Sequence, residues 1–274
     1  MSRVGSETLP GEVRRRRTLL LIEERGFMRV ADLSKMFDVS EVTTRSDLDQ
    51  LAEASLLERV HGGAMALSQA LITTSTPAED EPSFEESADT LADEKTAIGR
   101  AAASLVSSGD SLIIDVGTTT TAVARALTHR SDLDDVVVFT NGITIAMELE
   151  SAIPRFTVIL TGGTLRPRQH SLVNPMGSGI LEEINVDIAF IGCNGIDPTN
   201  GVTNINLPEA QIKRRMIGAA HRVVVVADGT KVGGASVARV ALVEDVDDLI
   251  TTESADEELM RQIRELNVAV TVAE

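Results

Sequence analysis

At 274 residues, 43% apolar and with a formal net charge of −17, the chain is long enough for one small and one medium domain. No stretch reaches the roughly 18 uninterrupted apolar residues that a membrane span needs. The apolar run after Arg14 to Arg17 is short and broken at Glu23-Glu24, which does not make a secretory signal, so a cytoplasmic protein away from the membrane is expected.

A single cysteine, Cys193, and four scattered histidines provide neither a disulfide framework nor the spacing of metal ligands, and no cofactor is implied. The charge is uneven: residues 1–65 carry 10 basic and 11 acidic side chains, whereas 66–94 carry 8 acidic and none basic. Positive charge in the first part is clustered at Arg14, Arg15, Arg16 and Arg17, the arrangement that contact with duplex phosphates requires. A merely solvated start would look the same. With no Trp, no Tyr and six Phe, the chain has few surfaces for stacking a base or a sugar face. Single-stranded nucleic acid is thereby disfavoured, and a ligand held by its charge is favoured.

In chain order, Leu19, Leu20 and Ile22 fit a first helix stopping before Gly26. Val30, Leu33, Met36 and Phe37 sit at helical spacing and give a second. Ser40 caps a third, whose inner face is read as Val42, Leu48, Leu51 and Ala52. Leu56 to Val60 alternates like a strand and His61-Gly62-Gly63-Ala64 turns it back, so residues 10–66 are expected to form a winged helix-turn-helix. The third helix presents Thr43, Thr44, Arg45 and Ser46 near its start, where a recognition helix meets the major groove of double-stranded DNA. Arg45 is the best base-reader, with two hydrogen bonds available for one guanine edge; the alternative is an exposed pair with Asp49. Ser40, Arg59 and His61 complete the candidate DNA-binding set, the last two along the flanking backbone or minor groove.

Residues 67–94 lose periodicity and gain Ser, Thr, Pro and acids, and are read as an acidic linker. Over 95–254, short apolar runs alternate with helical stretches, at 111–116, 136–140, 156–161, 188–192, 223–227 and 248–252. Such runs suit parallel strands covered on both faces, so an α/β effector-binding domain is expected, with 255–274 as a C-terminal helix and tail. Asp115, Gly117, Thr118, Thr119 and Thr120 close the first run and open a helix. Glycine permits a sharp turn there, and amides and hydroxyls can face a phosphate; plain helix capping would use the same residues. Thr140 and Asn141, then Gly162 and Gly163, end the next two runs. Asn194, Asp228 and Lys231 follow later ones, on the carboxyl side that lines the crevice of an open α/β sheet. Glu209 and Lys213, one turn apart, read equally as ligand groups or as an ion pair. Arg166, Arg168 and His170 form a basic cluster near the expected pocket mouth.

Val39-Ser40-Glu41-Val42-Thr43-Thr44-Arg45-Ser46-Asp47-Leu48, followed by His61-Gly62-Gly63-Ala64, resembles the DeoR family of bacterial regulators. That family's signature is V-S-x-x-T-[IV]-R-R-D-L with a wing ending in H-G-G-A. Thr44 replaces the aliphatic residue, and Ser46 replaces the second arginine, with the contact to phosphate or base usual there. Residues 95–252 resemble the family's sensor, with D-x-G-T-T, T-N, G-G, E-A-x-x-K and A-D-x-x-K-x-G in order. The resemblance implies a fold similar to ribose-5-phosphate isomerase, a phosphorylated sugar or related metabolite as effector, and a homo-oligomer, dimer or tetramer, on operator DNA. The expected function is a DNA-binding transcriptional regulator, a repressor of a carbohydrate-use operon, and not an enzyme. A sugar-phosphate isomerase is the competing class, with Asp115, Glu209 or Asp228 as proton-transfer base. The lysine- and glycine-rich loop of such isomerases is absent, with Asp197 to Thr203 in its place, and no catalytic residue is assigned.

Overall fold

The computed structural model describes residues 11–25, 27–53, 56–60, 62–66, 81–173 and 179–274, and the chain separates into two units, Met1–Pro77 and Ala78–Glu274. His61 and residues 67–80 of the expected linker lie outside the described residues.

The first unit contains α1 (Gly11–Arg25), β1 (Phe27–Arg29), α2 (Val30–Phe37), α3 (Glu41–Glu53), β2 (Leu57–Val60) and β3 (Gly63–Ala66). Ile22, Leu33, Leu48, Leu51 and Leu57 are buried together as its core. α2 stops at Asp38, which takes the left-handed conformation (φ 51°), and the Ser34 hydroxyl donates to Val39 O at 2.6 Å. That tie fixes the turn into α3. The strands run antiparallel in the order β1-β3-β2; β1, with three residues, is too short to show a period. On α3 the inward residues are Thr44, Asp47, Leu48 and Leu51, while Val42, expected inside, is 73% exposed. Spacing by 3, 4 and 7 from position 44 defines one stripe, and position 42 falls outside it.

The second unit is built on a seven-stranded sheet of β4 (Ser111–Ile114), β5 (Val136–Thr140), β6 (Phe156–Leu160), β9 (Val186–Ile191), β12 (Ala220–Val226), β14 (Asp248–Thr252) and β15 (Ala269–Ala273). All neighbours pair in parallel, in the order β15-β14-β12-β9-β4-β5-β6. Leu112 and Ile114 of β4 point to one core, with residues from α5 (Ala92–Ala103), α6 (Thr118–Thr128) and α7 (Ile143–Leu149). Ile113 points to the other, with α8 (Leu207–Gly218) and α9 (Glu257–Glu265). Burial on both faces is what strands without hydrophobic alternation require. A β-carbon at Gly99 would lie 2.5 Å from Ala122 O, so α5 and α6 touch through their backbones.

Two expectations need correction. The C-terminal tail is the sheet's edge strand β15, paired along its whole length with β14. Residues 81–94 are not loose: they include α4 (Phe84–Asp89) and the start of α5, within the second unit. The remaining strands are the hairpin β7 (Thr164–Arg166) and β8 (Ser171–Val173), and a small antiparallel sheet of β10 (Gly195–Asp197), β11 (Gly201–Asn204) and β13 (Ala238–Ala241).

Candidate functional site

The first unit's candidate surface is the start of α3. Ser40 caps it, its hydroxyl accepting from Thr43 N at 3.1 Å and bonding Thr43 Oγ1 at 2.8 Å. Arg45 and Ser46 are exposed and Thr43 is half-buried. Arg45 pairs with Glu41 at 2.9 Å rather than with Asp49; an exposed pair of this kind contributes little and releases its arginine readily. Thr44 is not available to DNA. It is buried, and its hydroxyl donates to Ser40 O at 3.2 Å, because its position in the helical period faces the core. Arg14 is also withdrawn: its Nε lies 2.5 Å from Asp47 Oδ2 in a nearly buried pair that clamps α1 to α3. Arg15 reaches the same carboxylate at 3.5 Å, whereas Arg16 and Arg17 are exposed. Arg59 lies on β2 with its side chain outside the described residues, as is all of His61.

In the second unit the strand order reverses between β4 and β9. Connections from β4 lead outward through β5 and β6, and the chain then returns to place β9 on β4's other side. A crevice opens at the carboxyl ends of strands at such a switch point. Here it holds a cavity of about 370 Å³, lined by Val116 to Thr120 after β4, Gly192 to Asn194 after β9, and Ala227, Asp228, Thr230 and Lys231 after β12.

The residues after β4 turn at Gly117, whose φ of +146° lies in the region that favours glycine. Thr120 and Thr121 donate their hydroxyls back to Gly117 O at 3.0 and 2.7 Å. Those two hydroxyls fasten the turn, leaving Thr118 and Thr119 with hydroxyls that have no partner among the described residues. The backbone amides of Thr118, Thr119 and Thr120 begin α6 and have no helical acceptor. Lys231 is half-buried in the same lining, and its ammonium likewise has no partner among the described residues. Asp228 keeps the Lys231 turn in place by accepting from Thr230 N at 3.1 Å.

Below this surface is a buried charge network. Lys213 donates to Asp115 and, at 3.0 Å, to Gly192 O. Burial pushes the Asp115 carboxyl up to about 6, with Lys213 pulling it back, so at neutral pH it is the ionised partner of Lys213. Its Oδ1 has no hydrogen bond. Glu209 and Lys213 do not pair with each other: Glu209 takes Arg166, the Ser171 hydroxyl at 2.7 Å and Asn204 Nδ2 at 3.3 Å. Burial pushes the Cys193 thiol up to about 12, which leaves it an inert part of the lining.

Five residues expected at the crevice lie outside the cavity lining, Asp115 beneath it among them. Thr140 and Asn141 are fully buried; Asn141 Oδ1 accepts from Val116 N at 2.9 Å and braces the loop from behind. Gly162 and Gly163 follow β6, beyond β5 from the switch point, and a β-carbon at Gly163 would meet Val173 O at 2.4 Å. The sequence reading also missed a wall. Glu81, Ser83, Phe84, Glu86, Ser87 and Thr90 also line the cavity, in a segment whose helix packs on α6. Ser83 and Glu86 form a reciprocal capping box at the start of α4. Three acids dock on the basic cluster: Glu81 on Arg166 at 2.5 Å, Glu85 on His170 at 3.3 Å and Glu86 on Arg168 at 3.8 Å. Phe84 stacks on His170, and its amide donates to Arg168 O at 2.7 Å. Buried Lys95 also lines the cavity, its ammonium donating to Ser87 O at 2.5 Å and Thr90 O at 2.7 Å, and burial lowers its pKa. The signal for Lys95 was its place at the start of the buried stripe Lys95, Ile98, Gly99, Ala102.

Among the described residues no group of His, Cys, Asp and Glu is arranged to hold a metal, and no helix is long and apolar enough to cross a membrane. A family model described as the DeoR C terminal sensor domain matches residues 90–253, and one described as the DeoR-like helix-turn-helix domain matches residues 14–70. The HTH-type transcriptional regulator GolR of Listeria innocua is 31% identical over 261 residues, 95% of this chain and 98% of its own. The glycerol-3-phosphate regulon repressor of Escherichia coli is 32% identical over 231 residues, 84% of this chain and 86% of its own. A solved ribose 5-phosphate isomerase A from Methanocaldococcus jannaschii overlays 52% of this chain and 54% of its own at 19% identity and a TM-score of 0.39, too loose an overlay to argue from. With a reading head and a sensor matched in that order, and relatives aligned along most of their length, the chain belongs to the DeoR family of helix-turn-helix transcriptional regulators.

Proposed function

We propose that this regulator represses a carbohydrate-use operon and is released from its operator when a phosphorylated sugar binds the cavity at the β4–β9 switch point. The observation that carries the reading is the anion site: free amides at the start of α6, the Thr118 and Thr119 hydroxyls and the unpaired Lys231 ammonium share one cavity. Helix dipole, amide donors and a point charge together favour a phosphate. We assign effector anchoring to Gly117, Thr118, Thr119, Thr120 and Lys231, with Asn194 and Asp228 beside them; Asp115, Lys213 and Glu209 hold the floor.

The same geometry favours a sensor over an isomerase. Of the three candidate bases, Asp115 is fully buried beneath the cavity and Glu209 is committed to Arg166, Ser171 and Asn204, which leaves only Asp228, itself bonded to Thr230, on the cavity surface. On the head, Arg16, Arg17, Thr43, Arg45 and Ser46 are the assigned contacts to operator DNA, with Ser40 holding the helix start toward it. Paired operator half-sites call for a homo-oligomer acting in the cytoplasm, and the repressor names of relatives such as that of the glycerol-3-phosphate regulon agree with this reading.

Calorimetry with matched pairs of a free sugar and its phosphate ester tests the anchor. The ester should bind and the free sugar should not, because the chain lacks stacking aromatics and offers anion donors. Equal affinity for both would remove the phosphate anchor.

A further inference from the structure

Val42 stands at the start of α3 without a role in the fold. Thr44, Asp47, Leu48 and Leu51 form the buried stripe of that helix, and at about 3.6 residues per turn Val42 and Ser46 fall on the line directly opposite. Val42 is 73% exposed, so its methyls are left largely in water, and a β-branched residue is a poorer helix former than alanine. Nothing in the folding of the head therefore needs a valine there. On the helix surface its neighbours Glu41, Arg45, Ser46 and Asp49 are all exposed and all polar, so the two methyls stand singly rather than within an apolar patch of the kind that a protein partner covers. Ser46, one turn on, is short where the DeoR signature has arginine, and leaves those methyls uncovered.

In the major groove the base pairs present hydrogen-bond donors and acceptors and one apolar group, the C5-methyl of thymine. Set against a donor or acceptor, a valine strips water from it and returns no bond. Set against the methyl, it buries apolar surface on both sides. We propose that Val42 is a specificity-determining residue of the head, packing on a thymine methyl within about two base pairs of the base that Arg45 reads, the span open to side chains three positions apart on one helix. This rests on the assignment of α3 to the major groove proposed above.

The test uses the full chain and the tightest duplex that it selects from a randomised library, with affinity read by fluorescence anisotropy. Replacing the thymines of that duplex one at a time with deoxyuridine removes the methyl and nothing else. One such replacement should weaken wild type about fourfold, the scale of one buried methyl group, and it should lie within about two base pairs of the step whose preference Arg45→Ala relaxes. Val42→Ala should bind the thymine and uracil forms of that position alike, within about twofold. Val42→Ile, which keeps the apolar contact, should retain the difference. Melting of Val42→Ala should match wild type or rise slightly, so that its lost discrimination is not a loss of folding. If no deoxyuridine within that span matters to wild type, or if Val42→Ala keeps the preference for thymine, the inference is overturned; a loss on Arg45→Ala confined to the selected duplex, against random DNA, then still keeps α3 in the groove. If neither Arg45→Ala nor Val42→Ala changes affinity for the selected duplex, the assignment of α3 falls and takes the inference with it.

Discussion

Asp115 and Lys213 are so nearly excluded from water, with 0% and 3% of their side chains exposed, that each depends on the other. Lys213→Met would leave the carboxylate in the core without its counter-charge, and breaking such a pair costs about 3–5 kcal/mol. The pH dependence has a definite sign. Asp115 is held at about 6 in the folded chain against an ordinary 3.8, so between those values the folded chain keeps a proton that the unfolded chain has lost. Its contribution to stability therefore falls as pH rises through that window. Without Lys213 the carboxyl rises further, so the variant's deficit should be largest near pH 8 and shrink toward pH 5. Urea unfolding at both pH values reads it; equal deficits would show that Asp115 is not ionised in the core.

The four arginines of α1 separate in the same way. Arg14→Ala breaks a nearly buried pair and should lower the head's melting temperature, whereas Arg16→Ala should leave melting alone and weaken every duplex alike. Arg45→Ala should cost about 1–3 kcal/mol on the specific operator and relax preference at one base step. Equal losses for Arg16→Ala and Arg45→Ala on specific and random DNA would remove Arg45 as a base-reader. As letters the four arginines are equivalent; what distinguishes them is helical phase, with Arg14, Thr18 and Ile22 four apart on the buried stripe. Thr44 was misplaced for the same reason, since its hydroxyl suggested a surface and its phase put it inside.

At the scale of elements, apolar periodicity made the three head helices and six of the seven sheet strands legible. Elements held by other forces were hidden. α4 has no buried residue of its own, and what fastens it is a set of ion pairs and one stacked ring reaching residues some 80 positions away, as from Glu81 to Arg166. No local pattern announces such partners, and a run of acids reads as a solvated linker. The site was half legible for a related reason: motifs mark strand ends, but which ends share a crevice depends on strand order. That order brings the residues after β4, β9 and β12 together and leaves Thr140, Asn141, Gly162 and Gly163 aside. Arg166 is the hinge pin of this arrangement, touching Glu81 on the wall and Glu209 on the floor. Arg166→Met should loosen α4, so the amides of Glu86 and Ser87, which bond the Ser83 hydroxyl at 3.2 Å and the Ser83 carbonyl at 3.0 Å, should exchange hydrogen faster than in wild type while amides of β4 and β9 do not. Uniform acceleration across the second unit would mean that Arg166 supports the whole fold rather than the wall.

For the whole molecule, control of transcription requires that the effector bind the DNA-incompetent arrangement more tightly than the competent one, since equal affinity shifts nothing. The wall of the cavity is also the first described stretch of the second unit after the head, with residues 67–80 between them in the chain. A change at the cavity thus has a covalent route to the head. Thr119→Val tests the sensing end of that route, because it removes a hydroxyl from the anion site and keeps the side chain's shape. Thr120 and Thr121, not Thr119, donate to Gly117 O, so melting should move by no more than about 0.5 kcal/mol. The variant should still bind its operator and no longer respond to effector, giving a reporter that stays repressed in the presence of sugar. Thr121→Val is the complementary control: it removes a turn-fastening hydrogen bond, should cost about 1 kcal/mol of stability, and should leave the response intact. Melting temperature, operator affinity and reporter response from the same preparations distinguish sensing from capping. A Thr119→Val protein that melts early yet responds normally would move the effector site away from the residues after β4.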